Sequence, residues 1–312
     1  MGAPRCEDSD RGENFSSSLS YGAISGTYAH LPSAVGRATV AGSTTKGSHE
    51  MSSATPSTPQ RHDPIREKYF KPVELAELWS TILFYVAALL SFAVLAVNQT
   101  AHPVLFDVAQ IAFVVAAVLL FALDLANRIY LTPSALDARR TDLLSNAYRV
   151  SLTHEQTTGY YNNDENDPLR RLGVAVMENS HFSRAIARAM AKTERAKVGI
   201  YGTLLIVLWL HRSTDLAIAA TAAQVVFSEH ILSQWLRLEW FRIRCDTTYK
   251  HLYGLFQRAP VRATLQVQAL EWFAFYEAAK SNSGVTLSSA AFKRLNESLS
   301  LEWEQIKLSL KL

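Results

Sequence analysis

The chain has 312 residues, a formal net charge of +3, 48% hydrophobic residues and two cysteines. That near-neutral balance is weak ground for nucleic-acid binding, so no DNA partner is expected. Cys6 and Cys245 lie far apart and supply neither a disulfide framework nor a zinc spacing. The averages conceal four apolar segments set in a polar remainder, and these organise everything else.

Residues 1–60 are rich in Ser, Thr, Gly and Ala, without helical or strand period, and are expected to be disordered. The first 20 residues hold charges and no apolar run, so a cleaved signal peptide is not expected. The stretch Lys46–Glu50 ahead of Met51 can be encoded by purine-rich codons, like a bacterial ribosome-binding site. Residues 1–50 thus read either as an over-extended gene start or as an ordinary disordered tail.

The first hairpin occupies 61–130. A short amphipathic lead-in, Ile65–Leu78, precedes apolar segments Leu78–Val97 and Val104–Leu123, joined by Asn98–Pro103. A spanning helix needs about 20 mostly apolar residues, and both segments meet that length. Thr132-Pro133-Ser134 is expected to break the chain after the second span.

A cytosolic helical segment is expected over 131–197, with a helix at Leu136–Leu152 and a polar loop at Thr157–Pro168. From Met177 an amphipathic helix is expected to run without interruption into the third apolar segment.

The second hairpin occupies 198–236. Val198–Leu210 has only 13 residues, about 20 Å of helix, while Leu216–Leu236 has the length but carries Gln224, Glu229 and His230. A re-entrant or buried soluble hairpin is the alternative reading of this pair. Residues 237–312 follow as cytosolic helices, broken at Pro260 into Val261–Lys280 and Leu287–Leu310.

Basic residues turn the four segments into a topology. Arg61, Arg66, Lys68 and Lys71 precede the first; Arg128, Arg139 and Arg140 follow the second. Arg184, Arg188, Lys192, Arg195 and Lys197 lead into the third; Arg237, Arg242 and Arg244 follow the fourth. The short turns hold only Arg212. By the positive-inside rule both termini and the middle segment are expected to be cytoplasmic. The expected class is an all-α integral membrane protein with two transmembrane helical hairpins and cytosolic helical segments.

Catalysis has little to stand on. There is no HExxH, GxSxG, CxxC or phosphate-loop pattern, so no enzyme, no metal and no cofactor are expected. Polar residues within the spans are the first site candidates. Thr221, Gln224 and Ser228 share a face at helical spacing, Glu229 and His230 follow, and Asp107 lies near the outer end of the second span. They line a pore, tie helices together, or, for Asp107, are merely solvated. The second candidate is the loop. Tyr160, Tyr161, Asn162 and Asn163 offer rings and amides beside Arg139, Arg140, Arg170 and Arg171, a set able to hold a nucleotide. The bland alternative is a polar turn with ordinary cytoplasmic anchors.

Several stretches resemble the SMODS-associating four-transmembrane effector family. They are Asp142–Tyr148, GYYNN at 159–163, ENSHFS at 178–183 leading into Met190, and the ending SNSGVTLS with FKRLNESLSLEWEQIK. The likeness covers 65–312, including the order and pairing of the spans. That family is encoded beside cyclic-oligonucleotide synthases in bacterial anti-phage conflict systems and is inferred to be their membrane-disrupting arm. The resemblance implies a homo-oligomeric effector in the lipid bilayer, answering a cyclic oligonucleotide ligand or a neighbouring nucleotide synthase. Whether the chain senses the signal or a partner does is left open. The rival class is a non-conductive membrane scaffold or receptor. A transporter is third, since no broken span argues for it.

Overall fold

The computed structural model describes residues 62–157, 160, 161, 163, 165–211 and 215–312, which fall in one compact unit. The expectations for 1–60 lie outside the described residues, as do Asn162 and Arg212. Among the described residues the elements are helical: α1 Lys71–Ala96, α2 Pro103–Ala126, α3 Thr132–Tyr148, α4 Pro168–Leu210, α5 Leu216–Val226, α6 Gln234–Arg258, α7 Arg262–Ser283 and α8 Ser289–Leu310.

Three helical stretches are long and apolar enough to cross a membrane: Arg66–Ala96, Pro103–Tyr148 and Leu216–Arg258. The third apolar segment, Val198–Leu210, forms the end of α4. An 18-residue window reaching back from Leu210 takes in Glu194, Arg195 and Lys197.

The α1–α2 hairpin closes on small side chains. Val73, Ala76, Ser80, Phe84 and Ala87 form one buried stripe on α1, and Ala109 and Ala116 are the buried positions of α2. Alanines let two backbones approach closely, as helices packing in lipid require. Much of α2 is turned outward, including Val104, Val108, Ile111, Val115 and Phe121. In water such a surface would be costly; against acyl chains it is not.

Prolines do not end these helices. Pro72 and Pro133 each stand two places beyond a π turn, Arg66–Phe70 and Asn127–Leu131. The N–H of Lys71 reaches the carbonyl of Arg66, and that of Thr132 reaches the carbonyl of Asn127. Proline lacks an N–H and crowds the carbonyl four residues back. One extra residue in the preceding turn relieves that conflict. The expected break at Thr132-Pro133-Ser134 is therefore absent, and a 46-residue helix runs from Pro103 to Tyr148.

The break falls instead in the fourth apolar segment, which was read as continuous. Helix α5 stops at Val226, Ser228 is extended (φ −65°, ψ 166°), and a π turn at Glu229–Ser233 leads into α6. Ser228 starts the new turn by accepting the N–H groups of Ile231 and Ser233.

Helix α4 is the spine of a helical bundle. It begins at Pro168, earlier than the expected Met177, because Asp167 caps it: one carboxylate oxygen accepts from Leu169 N at 3.1 Å and Arg170 N at 3.0 Å. It then runs 43 residues. Arg171 to Glu178 are all buried, so this part of α4 is enclosed on every side. Helices α3, α6, α7 and α8 surround it, with Leu143, Phe241, Leu252 and Trp303 in the core. At Gly173 a Cβ would stand 3.1 Å from Ala269 Cβ and 3.2 Å from Phe256 Cζ, so glycine sets how closely the helices approach.

Candidate functional site

The apolar helices and the helical bundle around α4 meet around a cavity of about 880 Å³. Its walls are the foot of α1, the end of α2, the π turn before α6, and the turn joining α7 to α8. Charged side chains concentrate here. His230 Nε2 lies 3.0 Å from Asp124 Oδ2, and the His230 ring sits 4.8 Å from that of Phe84. Glu229 takes Arg237 at 2.6 Å and Arg128 at 3.5 Å. Three helical stretches are thus tied together at one level.

The same cavity connects to the far end of the chain. Ser289 Oγ donates to Glu74 Oε1 at 2.5 Å and accepts from Arg66 at 2.7 Å; Arg66 in turn reaches Glu74 at 3.5 Å. The start of α8 is therefore hydrogen-bonded to the foot of α1. Any shift of α8 must move or break this contact.

The expected pore residues divide. Glu229 and His230 line the cavity. Gln224 and Asp107 are exposed on the outer faces of α5 and α2, and Thr221 Oγ1 bonds back to Ala217 O at 2.9 Å on its own helix. Ser228 sits at the break, so the Thr221–Gln224–Ser228 stripe does not continue on one helical face. Asp124 and Ser289 were missed in the sequence. Asp124 could have been noticed as the acid directly after the apolar run Val104–Leu123; Ser289 carries no local signal.

The loop residues serve the fold. Tyr161 donates to Asp142 Oδ2 at 3.1 Å, and Thr157 Oγ1 donates to the same oxygen at 2.8 Å. Burial pushes the Tyr161 hydroxyl well above its ordinary range, so it stays a donor. The Arg139 guanidinium lies 4.3 Å from the centre of the Tyr160 ring and pairs with Asp63 at 2.8 Å. Arg170 pairs with Glu165 at 2.8 Å, and Asn163 Nδ2 donates to Arg171 O at 3.3 Å. Arg171 is itself buried and donates to Asn146 O at 3.3 Å. Arg140 pairs with Asp137 at 3.0 Å on the exposed side of α3. The arginines diverge, and the tyrosines latch the loop onto α3. A nucleotide at this loop would first have to displace the Tyr161–Asp142 bond.

Among known protein families, curated proteins and solved structures, none matches this chain. The class defined by fold and site is an all-helical protein with three membrane-length apolar helices and a charged cavity at their base.

Proposed function

We propose that this chain is the membrane effector of a bacterial nucleotide-second-messenger anti-phage system, forming or opening a membrane lesion when activated. It sits in the inner membrane as two hairpins, with both termini cytoplasmic. Val198–Leu210 is the third span, short enough to need Lys197 to reach one interface. The observation that carries the reading is the interruption at Ser228 beside the His230–Asp124 pair. A broken helix in lipid leaves backbone groups to satisfy, and such breaks are tolerated where they face protein or a water-filled cavity. Here the break adjoins a cavity of about 880 Å³, whose wall is hydrogen-bonded to the cytosolic helices through Ser289 and Glu74. Rearrangement of α8 is thereby coupled to the base of the spans. Exposed Gln224 and Asp107 are costly toward lipid, which favours several copies facing one another around a shared path.

The test is dye leakage and membrane potential in cells expressing the chain, with and without its neighbouring nucleotide synthase. Leakage that requires the synthase supports the reading. Intact membranes at full expression with an active synthase sink it. The second reading is a non-conductive scaffold or receptor. It is favoured by the exposed Leu301 and Leu308 on α8 and Val267 and Leu270 on α7, apolar surface outside the spans.

A further inference from the structure

A second recess, sharing no lining residue with the interfacial cavity, lies between α4 and α8. It measures about 330 Å³ and is lined by Arg184, Arg188 and Lys192 on one side and Leu295, Leu299 and Glu302 on the other, with His181 at its floor. The three cations recur every four residues, so they stack on one face of α4. Like charges at this spacing repel and weaken a helix by a few tenths of a kcal/mol per pair. Neither Arg188 nor Lys192 makes an ion pair or hydrogen bond among the described residues. Two uncompensated cations beside a recess make a candidate anion site.

His181 supplies the independent observation. It is 2% exposed, yet its Nε2 has no hydrogen-bond partner among the described residues. Its other nitrogen, Nδ1, lies 3.1 Å from an Arg184 terminal nitrogen. Guanidinium has only donors, so Nδ1 accepts and the proton resides on Nε2. Nε2 is therefore a buried N–H donor at the recess floor. The Leu299 backbone lies close enough to act on the ring, and Glu302 Oε2 is 3.6 Å away. Arg184 is held in place by Asp246 at 3.3 Å and by the Tyr249 ring at 3.5 Å.

We infer that the α4–α8 recess binds a phosphate-bearing small molecule, with Arg184, Arg188 and Lys192 facing the phosphate oxygens and His181 Nε2–H donating from the floor. Phosphate suits the site because its several acceptor oxygens meet donors from more than one direction. Glu302 on the rim, 60% exposed, accepts a hydroxyl of the ligand or swings into solvent. A recess of this size falls at the small end of ligand sites, about 300–1,000 Å³. A lipid headgroup offers the same chemistry. On the proposed topology Val198 marks the membrane edge, and at 1.5 Å per residue Lys192 stands about 9 Å beyond it, Arg188 about 15 Å and His181 about 25 Å. The polar region of one leaflet is about 5–8 Å deep, so headgroups come near Lys192 but not the floor of the recess. Binding at this recess does not depend on whether the chain permeabilises membranes.

The experiment uses the full chain in detergent and inorganic pyrophosphate as the probe, followed by calorimetry. Saturable binding of one pyrophosphate per chain is expected. Arg188→Gln with Lys192→Gln should weaken it at least about tenfold, since each charge-assisted bond is worth roughly 1.5–3 kcal/mol. Ala189→Trp, which fills the recess and keeps every cation, should abolish it, whereas Lys71→Gln on α1 should leave it unchanged. Helical circular dichroism checks that each variant is folded. The absence of saturation, or unchanged affinity in folded Ala189→Trp, overturns the proposal. The titration is repeated in phosphatidylcholine nanodiscs and in discs with phosphatidylglycerol added. Equal affinity in both supports a soluble ligand; displacement by the anionic lipid assigns the recess to headgroups and overturns it.

Discussion

His230 and Asp124, separated by 106 positions in the chain, meet at 3.0 Å and join the break before α6 to the end of α2. Neither side chain is fully exposed, at 20% and 36%, so the pair is screened less than a surface bridge. A double-mutant cycle with Asp124→Asn and His230→Phe should give a coupling of about 1–2 kcal/mol in detergent-solubilised protein. Phenylalanine keeps the contact with Phe84, so loss of packing does not confound the comparison. A coupling indistinguishable from zero would mean that the pair does not hold the hairpins together.

The Ser289–Glu74 contact predicts a change in signal response rather than in folding. Ser289→Ala removes the donor to Glu74 and leaves Arg66 paired with it. Thermal stability should drop by no more than about 1 kcal/mol, the net worth of one such bond. The synthase dependence of leakage should shift, because α8 is released from α1. Identical leakage with and without the substitution at equal membrane level would remove this contact from the gating route.

Acid should destabilise the helical bundle around α4 through His181. Burial, aided by the neighbouring Arg184 charge, lowers its pKa to about 4 from an ordinary 6.5, with Leu299 working weakly in the other direction. The unfolded chain therefore binds this proton between pH 6.5 and 4 while the folded chain does not. Stability falls as pH drops through that window and is unaffected by this group above it. Melting temperatures of wild type and His181→Gln, taken from pH 7.5 to 4.5, isolate the effect, since other acid-sensitive groups are common to both. Parallel curves would show that His181 titrates normally.

Two glycines of α4 should respond in opposite ways. Gly173→Ala places a Cβ against Ala269 and Phe256 and should cost roughly 1–3 kcal/mol by overpacking. A Cβ at Gly202 meets nothing within 4 Å, so Gly202→Ala should be neutral or stabilise by up to about 1 kcal/mol. Guanidinium titration followed by circular dichroism reads both. A destabilising Gly202→Ala, accompanied by loss of crosslinked oligomer, would indicate that a second copy packs there.

The two-hairpin topology is tested by cysteine labelling in a Cys6→Ser background; Cys245 is buried. Cysteines at Thr100 and His211, both exposed at the ends of apolar helices, should react with an impermeant reagent from outside intact cells. Cysteine at Ser298, exposed on α8, should react only after lysis. Protection of His211 alongside labelling of Thr100 would leave a single spanning hairpin.

Hydropathy and helical period can be read along the chain because they depend on residues three or four apart. The helical class, the apolar segments, the long helix ending at Leu210 and the division at Pro260 all follow from such local patterns. Three boundaries did not, the first being the start of α4, which Asp167 caps at Pro168 rather than at the expected Met177. Pro133 was expected to stop a helix, but a π turn lets one run through. Leu216–Leu236 reads as one apolar run, but Ser228 interrupts it where the chain meets the cavity. The loop tyrosines and arginines were visible as a polar cluster; their partners Asp63, Asp142 and Asn146 were not, since those lie on other segments. The same holds for Asp124 with His230, Glu74 with Ser289, and His181 with the α8 wall. Each joins residues far apart in the chain, and only the packing of α1, α2, α4, α6 and α8 brings them within a few ångströms.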